Sequence, residues 1–460
     1  MSTSSKLVSA LQTSDALTAN GAVTHSSTDS ALLDLFAVAG ALRQQPEQEV
    51  INLWVKAYSD SPKLSLQLLL WLRDCRGGAG ERKTFFIIHK WLKINSPEHG
   101  KLISNRIPDV GRWKDMWESS VPTEHEILLM IENIGNPLLC KWLPRKGSLF
   151  NTLAQRLGKS FRDFRKHLST TSKTVEQQMS AREWGNIAYK GVPSKAMSIY
   201  SGAFGKHDKA RFGAYMEDVK SGKTTIHSGT LYPYDLIRDL RSNKNVDVVN
   251  EQWKALPIYG NDENMLVIAD VSGSMMSTSG GMVAPIDVSI SLAIYISERN
   301  KGIFKDCFIT FTSQPQLQVL KGSLKDRYNQ LVGPVGYDTN FIAAFQLILD
   351  KALAHKLSQE DLPTKIIAVS DMEFNRCGSS TNFDVIKKKF ADAGYKMPAM
   401  VFWNVNGRAG NNPVKLTDEN VCLVSGASPS ILSGVLGKEI SPFDVMMGTI
   451  DKERYQVEIV

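Results

Sequence analysis

The sequence predicts two folded parts in series: a stack of α-helical hairpins over residues 31–255, and an α/β domain over 256–460 built on a mostly parallel sheet. Three observations carry this reading. Apolar residues recur at helical spacing as far as about residue 255. Beyond about 256, short continuous apolar runs alternate with longer amphipathic stretches, the pattern of strands buried on both faces between covering helices. The charge also divides, with 35 Lys and Arg against 25 Asp and Glu up to residue 255 (net +10), and 19 against 22 after it (net −3). A chain of 460 residues is in any case too long for one ordinary core.

Taken in order, residues 1–30 are polar and rich in Ser and Thr, without the basic start and apolar run of a secretory signal, and read as a mobile polar tail. In the first half ALLDLFAVAGALR, KLSLQLLLWLRD, RKTFFIIHKWLKI and EHEILLMIENI each present an apolar face at i, i+3, i+4 and i+7. Short connections such as SDSP, NSPEHG and GNP suit antiparallel neighbours. No fixed sequence period accompanies them, so repeats would be repeats of shape. NVDVVNEQWKALPIYGNDEN reads as the passage between the parts. In the second half MLVIADV, CFITFT, KIIAVSD and AMVFWNV are the strands, with helices at SISLAIYISERN, FIAAFQLILDKALAHK and FDVIKKKFADAG. Sites in such sheets form at the carboxyl ends of the strands.

Composition excludes several classes. With 42% hydrophobic and 22% charged residues the chain is neither disordered nor collagenous, and no run approaches the roughly 18 apolar residues that crossing a bilayer requires. Cys75, Cys140, Cys307, Cys377 and Cys422 are scattered, odd in number and never in a C-x-x-C pair, which argues against a disulfide framework and a zinc site. A reducing, cytoplasmic setting is expected. The net charge of +7 is concentrated: residues 141–211 hold 15 basic and 4 acidic side chains, a +11 window that suits a polyanion or, without a partner, a solvated Lys-rich surface.

The strongest motif is Asp270-Val-Ser272-Gly-Ser274, where the strand MLVIAD runs out. Two hydroxyls and a carboxylate at alternate positions aim hard oxygens at one point, as a small divalent cation requires; alone the pattern also suits a helix cap. Thr339, in the loop GYDTN, and Asp371, at the end of KIIAVSD, lie at the loops where further oxygens would be needed. Over about residues 260–460 this ordered set resembles the metal-ion-dependent adhesion site of the von Willebrand factor A domain, a Rossmann-like α/β fold. The resemblance implies Mg²⁺ or another divalent cation at Asp270, Ser272, Ser274, Thr339 and Asp371, with one coordination position open to a carboxylate of a protein partner. The chain departs from the commoner Asp-Gly at the last loop, where Met372 and Glu373 follow Asp371. Glu373 then either adds a ligand or closes the site from within.

A second resemblance covers the first half. Leu72-Arg-Asp-Cys-Arg76-Gly77-Gly78-Ala-Gly80-Glu81-Arg82 is similar to a segment of the Ro autoantigen (TROVE) family. Gly111-Arg-Trp113-Lys114-Asp115, Lys141-Trp-Leu-Pro144-Arg145, Val192-Pro193-Ser194 and Lys206-His207-Asp208 with Arg211-Phe212 look closer still to a Ro-like family of unknown function. Both families join a helical-repeat (HEAT-like) domain to an A domain. The resemblance implies binding of structured or misfolded small RNA, within a ribonucleoprotein, and no catalysis.

Read from the residues alone, Arg73, Arg76, Arg82 and Lys83 surround glycines at a helix start, where amides and guanidinium groups can hold phosphate. They suit equally a tight interhelical turn with Arg73 or Arg76 paired to Asp74 or Glu81. Lys141, Arg145, Lys146, Arg156, Lys159, Arg162, Arg165 and Lys166 have few acids near them in sequence and are the better phosphate candidates. Phe161, Phe164 and Trp184 can stack on bases or belong to a core. Lys206, His207 and Arg211 are further candidates, with a structural hydrogen bond the competing role for His207. Gly222-Lys223-Thr224 lacks the glycine that a phosphate loop needs at position 217, which is Glu, and no H-E-x-x-H or G-x-S-x-G occurs. The reading is a non-catalytic RNA-binding protein with a metal-mediated protein partner. Its alternative is a metal-dependent adhesion or assembly protein that binds no nucleic acid.

Overall fold

The computed structural model describes residues 16–259, 264–276, 283–310, 314–332, 340–376, 380–435 and 440–459. The helical patterns fold as expected into Ala31–Ala39, Pro62–Arg73, Lys83–Asn95 and Glu124–Glu132, with Glu47–Asp60, Pro97–Val110, Ser148–Arg156 and Phe161–Ser172 among the helices packed around them. Their starts are chemically marked. The side chain of Ser61 accepts from the Leu64 N–H with Pro62 in the first turn, and Thr123 and Glu126 form a reciprocal capping box.

The second half builds, among the described residues, a six-stranded sheet in the order β5-β4-β3-β6-β7-β8, after a small antiparallel pair β1 (Ala16–Leu17) and β2 (Val23–Thr24). The strands are β3 (Met265–Ala269), β4 (Cys307–Thr310), β5 (Leu317–Val319), β6 (Lys365–Ser370), β7 (Ala399–Asn404) and β8 (Val421–Ser425). All neighbours run parallel except β4 and β5. Every residue of β3, β6, β7 and β8 is buried, as their unbroken apolar runs require. β5, a short edge strand whose Leu317 and Val319 are exposed, carries no such signal and was not anticipated; neither was β8.

The two parts do not keep separate cores. One apolar cluster runs from Ala22 through most helices of the first half and strands β3, β4, β6, β7 and β8 to Val457. Helix Ala31–Ala39 packs on β8, where the Gly40 N–H donates to Ser425 Oγ at 2.9 Å and the Ser425 hydroxyl donates to the Phe36 carbonyl at 3.0 Å. A β-carbon on Gly40 would stand 2.4 Å from the Ser425 carbonyl oxygen, so the approach needs glycine. Residues 187–248 hold a second, smaller core around Tyr189, Phe204 and Phe212.

Two expectations are corrected. The polar composition of residues 1–30 predicts a mobile tail, but residues 16–30 are folded onto the second half: Ala22, Thr24 and Thr28 are buried, and His25 and Asn412 exchange backbone hydrogen bonds at 3.0 Å. Polar composition hid this because the segment is held by backbone and hydroxyl bonds more than by apolar side chains. The supposed passage contains the helix Val246–Lys254, with Trp253 buried against Tyr295 at 6.5 Å between ring centroids and its Nε1 donating to Glu298 at 2.7 Å.

Candidate metal centre and basic surface

β3 and β6 are neighbours in parallel register, Ala269 opposite Val369, so the loops that follow them emerge side by side. Asp270 and Asp371 start those loops, both buried. Asp270 accepts from the Ser272 N–H at 2.9 Å and from the Ser370 hydroxyl at 2.6 Å. Ser272 Oγ and Ser274 Oγ lie 3.1 Å apart, and Ser274 hydrogen-bonds to Asp371. Thus Asp270, Ser272, Ser274 and Asp371 lie together; Thr339 lies outside the described residues, as does Cys377.

Electrostatics at this point are unbalanced. Burial pushes the Asp371 carboxyl well above the usual carboxylate range and the charge of Asp270 adds to the shift; burial likewise raises Asp270 against the hydrogen bonds from Ser272 and Ser370. Among the described residues no Lys or Arg pairs with either. Two desolvated carboxylates beside two hydroxyls make a hard-oxygen donor set whose missing counter-charge a small divalent cation would supply, so the residues fit the group. No cluster of three or more His, Cys, Asp and Glu is found among the described residues, so such a site depends on hydroxyl donors as much as on carboxylates.

Glu373 is engaged by segments remote in sequence. Its carboxylate accepts from Arg408 Nε at 2.6 Å, from Asn411 Nδ2 at 3.2 Å and from the Ala19 N–H.

The glycine-rich segment after Arg73 is a structural seam. Arg73 pairs with Asp115 at 2.6 Å, both buried, joining it to the Gly111–Asp115 string. Asp74 accepts from Arg454 and Tyr455, Glu81 pairs with Arg43 at 2.9 Å, and the Ser430 hydroxyl donates to the Gly78 carbonyl at 2.9 Å. Gly80 sits at φ +66°, where an added β-carbon would meet the Tyr232 hydroxyl at 1.7 Å. The turn reading therefore holds with other partners than those expected. Arg76 is exposed and donates to the Asp109 carbonyl at 3.2 Å; Arg82 is exposed with no ion pair among the described residues.

The +11 window separates into engaged and free cations. Arg145 donates to the carbonyls of Cys140 and Leu143 at 2.9 and 2.6 Å, closing the end of helix Pro137–Trp142. Arg165 donates to the Arg145 carbonyl at 3.1 Å and lies over the Phe150 ring; Lys141 pairs with Glu176 at 3.4 Å and Arg156 with Glu124. Lys146, Lys159, Arg162 and Lys166 are exposed and have no ion pair among the described residues. The Arg165–Arg145 bond pins the loop carrying Lys146 to the helix carrying Arg162 and Lys166, one turn apart on one face. Phe164 is fully buried and excluded from stacking on a base, whereas Phe161 is 49% exposed.

Lys206, His207 and Arg211 lie exposed beside the second core. The His207 ring stacks on Trp184 with 4.6 Å between centroids, while Arg211 bonds Asp208 and the carbonyls of Trp184 and Ile187. Lys206 is exposed.

Two family models match the chain. One, described as a domain of unknown function (DUF2828), matches residues 18–106 and 141–258; another, also a domain of unknown function (DUF7788), matches residues 264–456. The chain is 25% identical to the uncharacterized protein L728 of Acanthamoeba polyphaga mimivirus over 506 residues, covering 94% of this chain and 87% of that protein. Among solved structures it overlaps the Ro (RSR) protein of Deinococcus radiodurans at 12% identity and a TM-score of 0.40, covering 92% of this chain and all of the other. No helix among the described residues is long and apolar enough to cross a membrane.

Proposed function

We propose that this chain is a non-catalytic RNA-binding protein that holds RNA by its backbone through the first half and engages an acidic protein partner through a divalent cation in the second. One observation carries the first clause: Lys146, Lys159, Arg162 and Lys166 stand exposed and unneutralised on adjoining elements. A cluster of this kind exchanges condensed counterions for phosphate, so binding falls steeply with salt. The resemblance of the flanking motifs to Ro-like proteins points the same way. Phe161, half exposed at the start of the same helix, is the side chain offered to an unpaired base.

At the metal centre, Asp270, Ser272, Ser274 and Asp371 would hold Mg²⁺, and the bound ion would supply a Lewis-acidic position for a partner carboxylate. The chain's own part is to desolvate two carboxylates and hold two hydroxyls beside them. A second reading, metal-dependent adhesion or assembly without nucleic acid, is favoured by this same centre, which needs no basic surface. Purification followed by the ratio of absorbance at 260 and 280 nm, then titration with RNA bearing single-stranded ends at two salt concentrations, separates the two. Co-purifying nucleic acid and salt-sensitive binding are expected. Affinity no better than that of an acidic control protein, with association that EDTA reverses, would leave the adhesion reading standing.

A further inference from the structure

We propose that Glu373 is a positioning residue for the metal-binding loop, acting through Asp371, and that residues 17–21 form a strap that completes its clamp. The inference rests on the reading of Asp270, Ser272, Ser274 and Asp371 as a metal centre.

The loop after Asp371 adopts a conformation its residues do not prefer. Met372 sits at φ +65° with its side chain buried, in the left-handed region that disfavours any residue with a β-carbon. Such a conformation persists only when the surroundings over-determine it. They do so by backbone bonds on both sides of Met372. Its N–H donates to Ser370 Oγ at 3.1 Å, its carbonyl accepts from Asn411 Nδ2 at 3.1 Å, and the next N–H, that of Glu373, donates to Asp371 Oδ1 at 3.1 Å. That last bond sets which way the Asp371 carboxylate faces, and so how it meets Ser274.

Glu373 is fixed in turn by segments remote in sequence. Arg408 grips its carboxylate from Nε at 2.6 Å and from Nη2 at 3.3 Å, and the Ala19 N–H donates to the same group. Residues 17–21 then tie themselves down on the loop. Asn20 Nδ2 donates to the Glu373 carbonyl at 2.6 Å, the Thr18 hydroxyl to the Phe374 carbonyl at 2.7 Å, and Gly21 bridges to Asn375. Arg408 closes the circuit by donating to the Leu17 carbonyl at 3.0 Å. Glu373 thus meets the candidate metal ligand through its backbone N–H, and its partly buried carboxylate, at the crossing of three chain segments, holds that N–H in place, as outer-shell partners hold the ligands of metal sites.

The test uses the full chain. Mg²⁺ affinity is measured by calorimetry for wild type, Glu373→Gln, Arg408→Gln and Asp270→Ala, with melting in EDTA to show that each variant folds. Backbone amide exchange over residues 18–21 is followed with and without Mg²⁺. Glu373→Gln should bind Mg²⁺ about 10- to 100-fold more weakly, the range seen when outer-shell partners are removed, and Arg408→Gln should shift it in the same direction. By reciprocity, Mg²⁺ should slow exchange over 18–21 in wild type and not in Glu373→Gln. Should Glu373→Gln fail to fold, the more exposed Arg408→Gln carries the same comparison. Unchanged affinity in both clamp variants, with binding abolished by Asp270→Ala, would overturn the positioning role and leave the metal centre intact. A wild-type chain that takes up no Mg²⁺ would overturn both.

Discussion

Asp74 and Arg454 stand 380 positions apart in the chain and meet in a two-pronged ion pair, Nε to Oδ2 at 2.5 Å and Nη2 to Oδ1 at 3.1 Å. The Tyr455 hydroxyl donates to the same carboxylate at 3.0 Å, and Asp74 is fully buried. The pair fastens the glycine-rich turn of the helical half to the segment that follows the last helix of the sheet half. A motif whose arginines and glycines suggest phosphate binding is, in the folded chain, part of the seam.

Removing one partner from this pair should be costly. Arg454→Ala is expected to destabilise by about 3 kcal/mol or more, because it leaves Asp74 buried without its counter-charge, and Asp74→Ala by less, since the Arg454 it leaves behind is partly exposed. Burial alone would raise the Asp74 carboxyl. The hydrogen bonds from Arg454, the Arg76 N–H and Tyr455, with the Arg454 charge, outweigh burial and hold it below its ordinary value. Its contribution is therefore present above about pH 4 and lost as pH falls through the depressed folded value. Urea denaturation of the three proteins between pH 7 and pH 3 checks both statements.

His89 supplies a second pH dependence. It is buried with Nε2 3.0 Å from Ser104 Oγ; the Ser104 hydroxyl donates to Glu126, which Lys93 also engages at 2.7 Å. Burial, then the Lys93 charge, brings the imidazole down to about 3. The folded chain keeps His89 neutral while the unfolded chain protonates it below about pH 6.5, so stability should decline as pH falls from about 6.5 toward 3. In His89→Gln that part of the decline should vanish. Equal slopes for the two proteins in urea midpoints between pH 7 and 5 would contradict it.

The seam's glycine is also testable. At Gly80, φ is +66° and a β-carbon would lie 1.7 Å from the Tyr232 hydroxyl, so Gly80→Ala meets both strain and a clash. A loss of more than about 1 kcal/mol is expected, whereas Gly135→Ala, open around its position, should change stability little. Thermal melting distinguishes them.

Metal dependence should appear in the same assay. Mg²⁺ in excess of its dissociation constant should raise the wild-type melting temperature through mass action, and Asp371→Asn should lose that response. In EDTA, Asp371→Asn should melt no lower than wild type, because it removes one of two buried carboxylates that repel each other.

Much of this was legible in the sequence because the signals were local. Continuous apolar runs marked β3, β4, β6 and β7, and 3.6-residue periodicity marked the helices. The convergence of Asp270 with Asp371 followed from both ending parallel strands. What escaped depends on partners far away in the chain. The docking of residues 16–30 on the sheet half rests on bonds to Phe374, Asn375 and Asn412, and the covering of β8 rests on Phe36 and Gly40. The basic window was visible as a count, but only the fold separates Arg145 and Arg165, tied to carbonyls, from Lys146, Arg162 and Lys166.

The central claim is the division of labour between the halves, and one measurement addresses it directly: RNA affinity across salt concentrations for wild type, Lys146→Glu/Arg162→Glu/Lys166→Glu, and Asp270→Ala. The triple charge reversal should weaken binding and flatten the salt dependence by up to about 2 units of slope, each lost phosphate contact removing about 0.7 for a single strand. Asp270→Ala should bind RNA as wild type does. An unaffected triple variant, or RNA binding abolished by Asp270→Ala, would contradict the account.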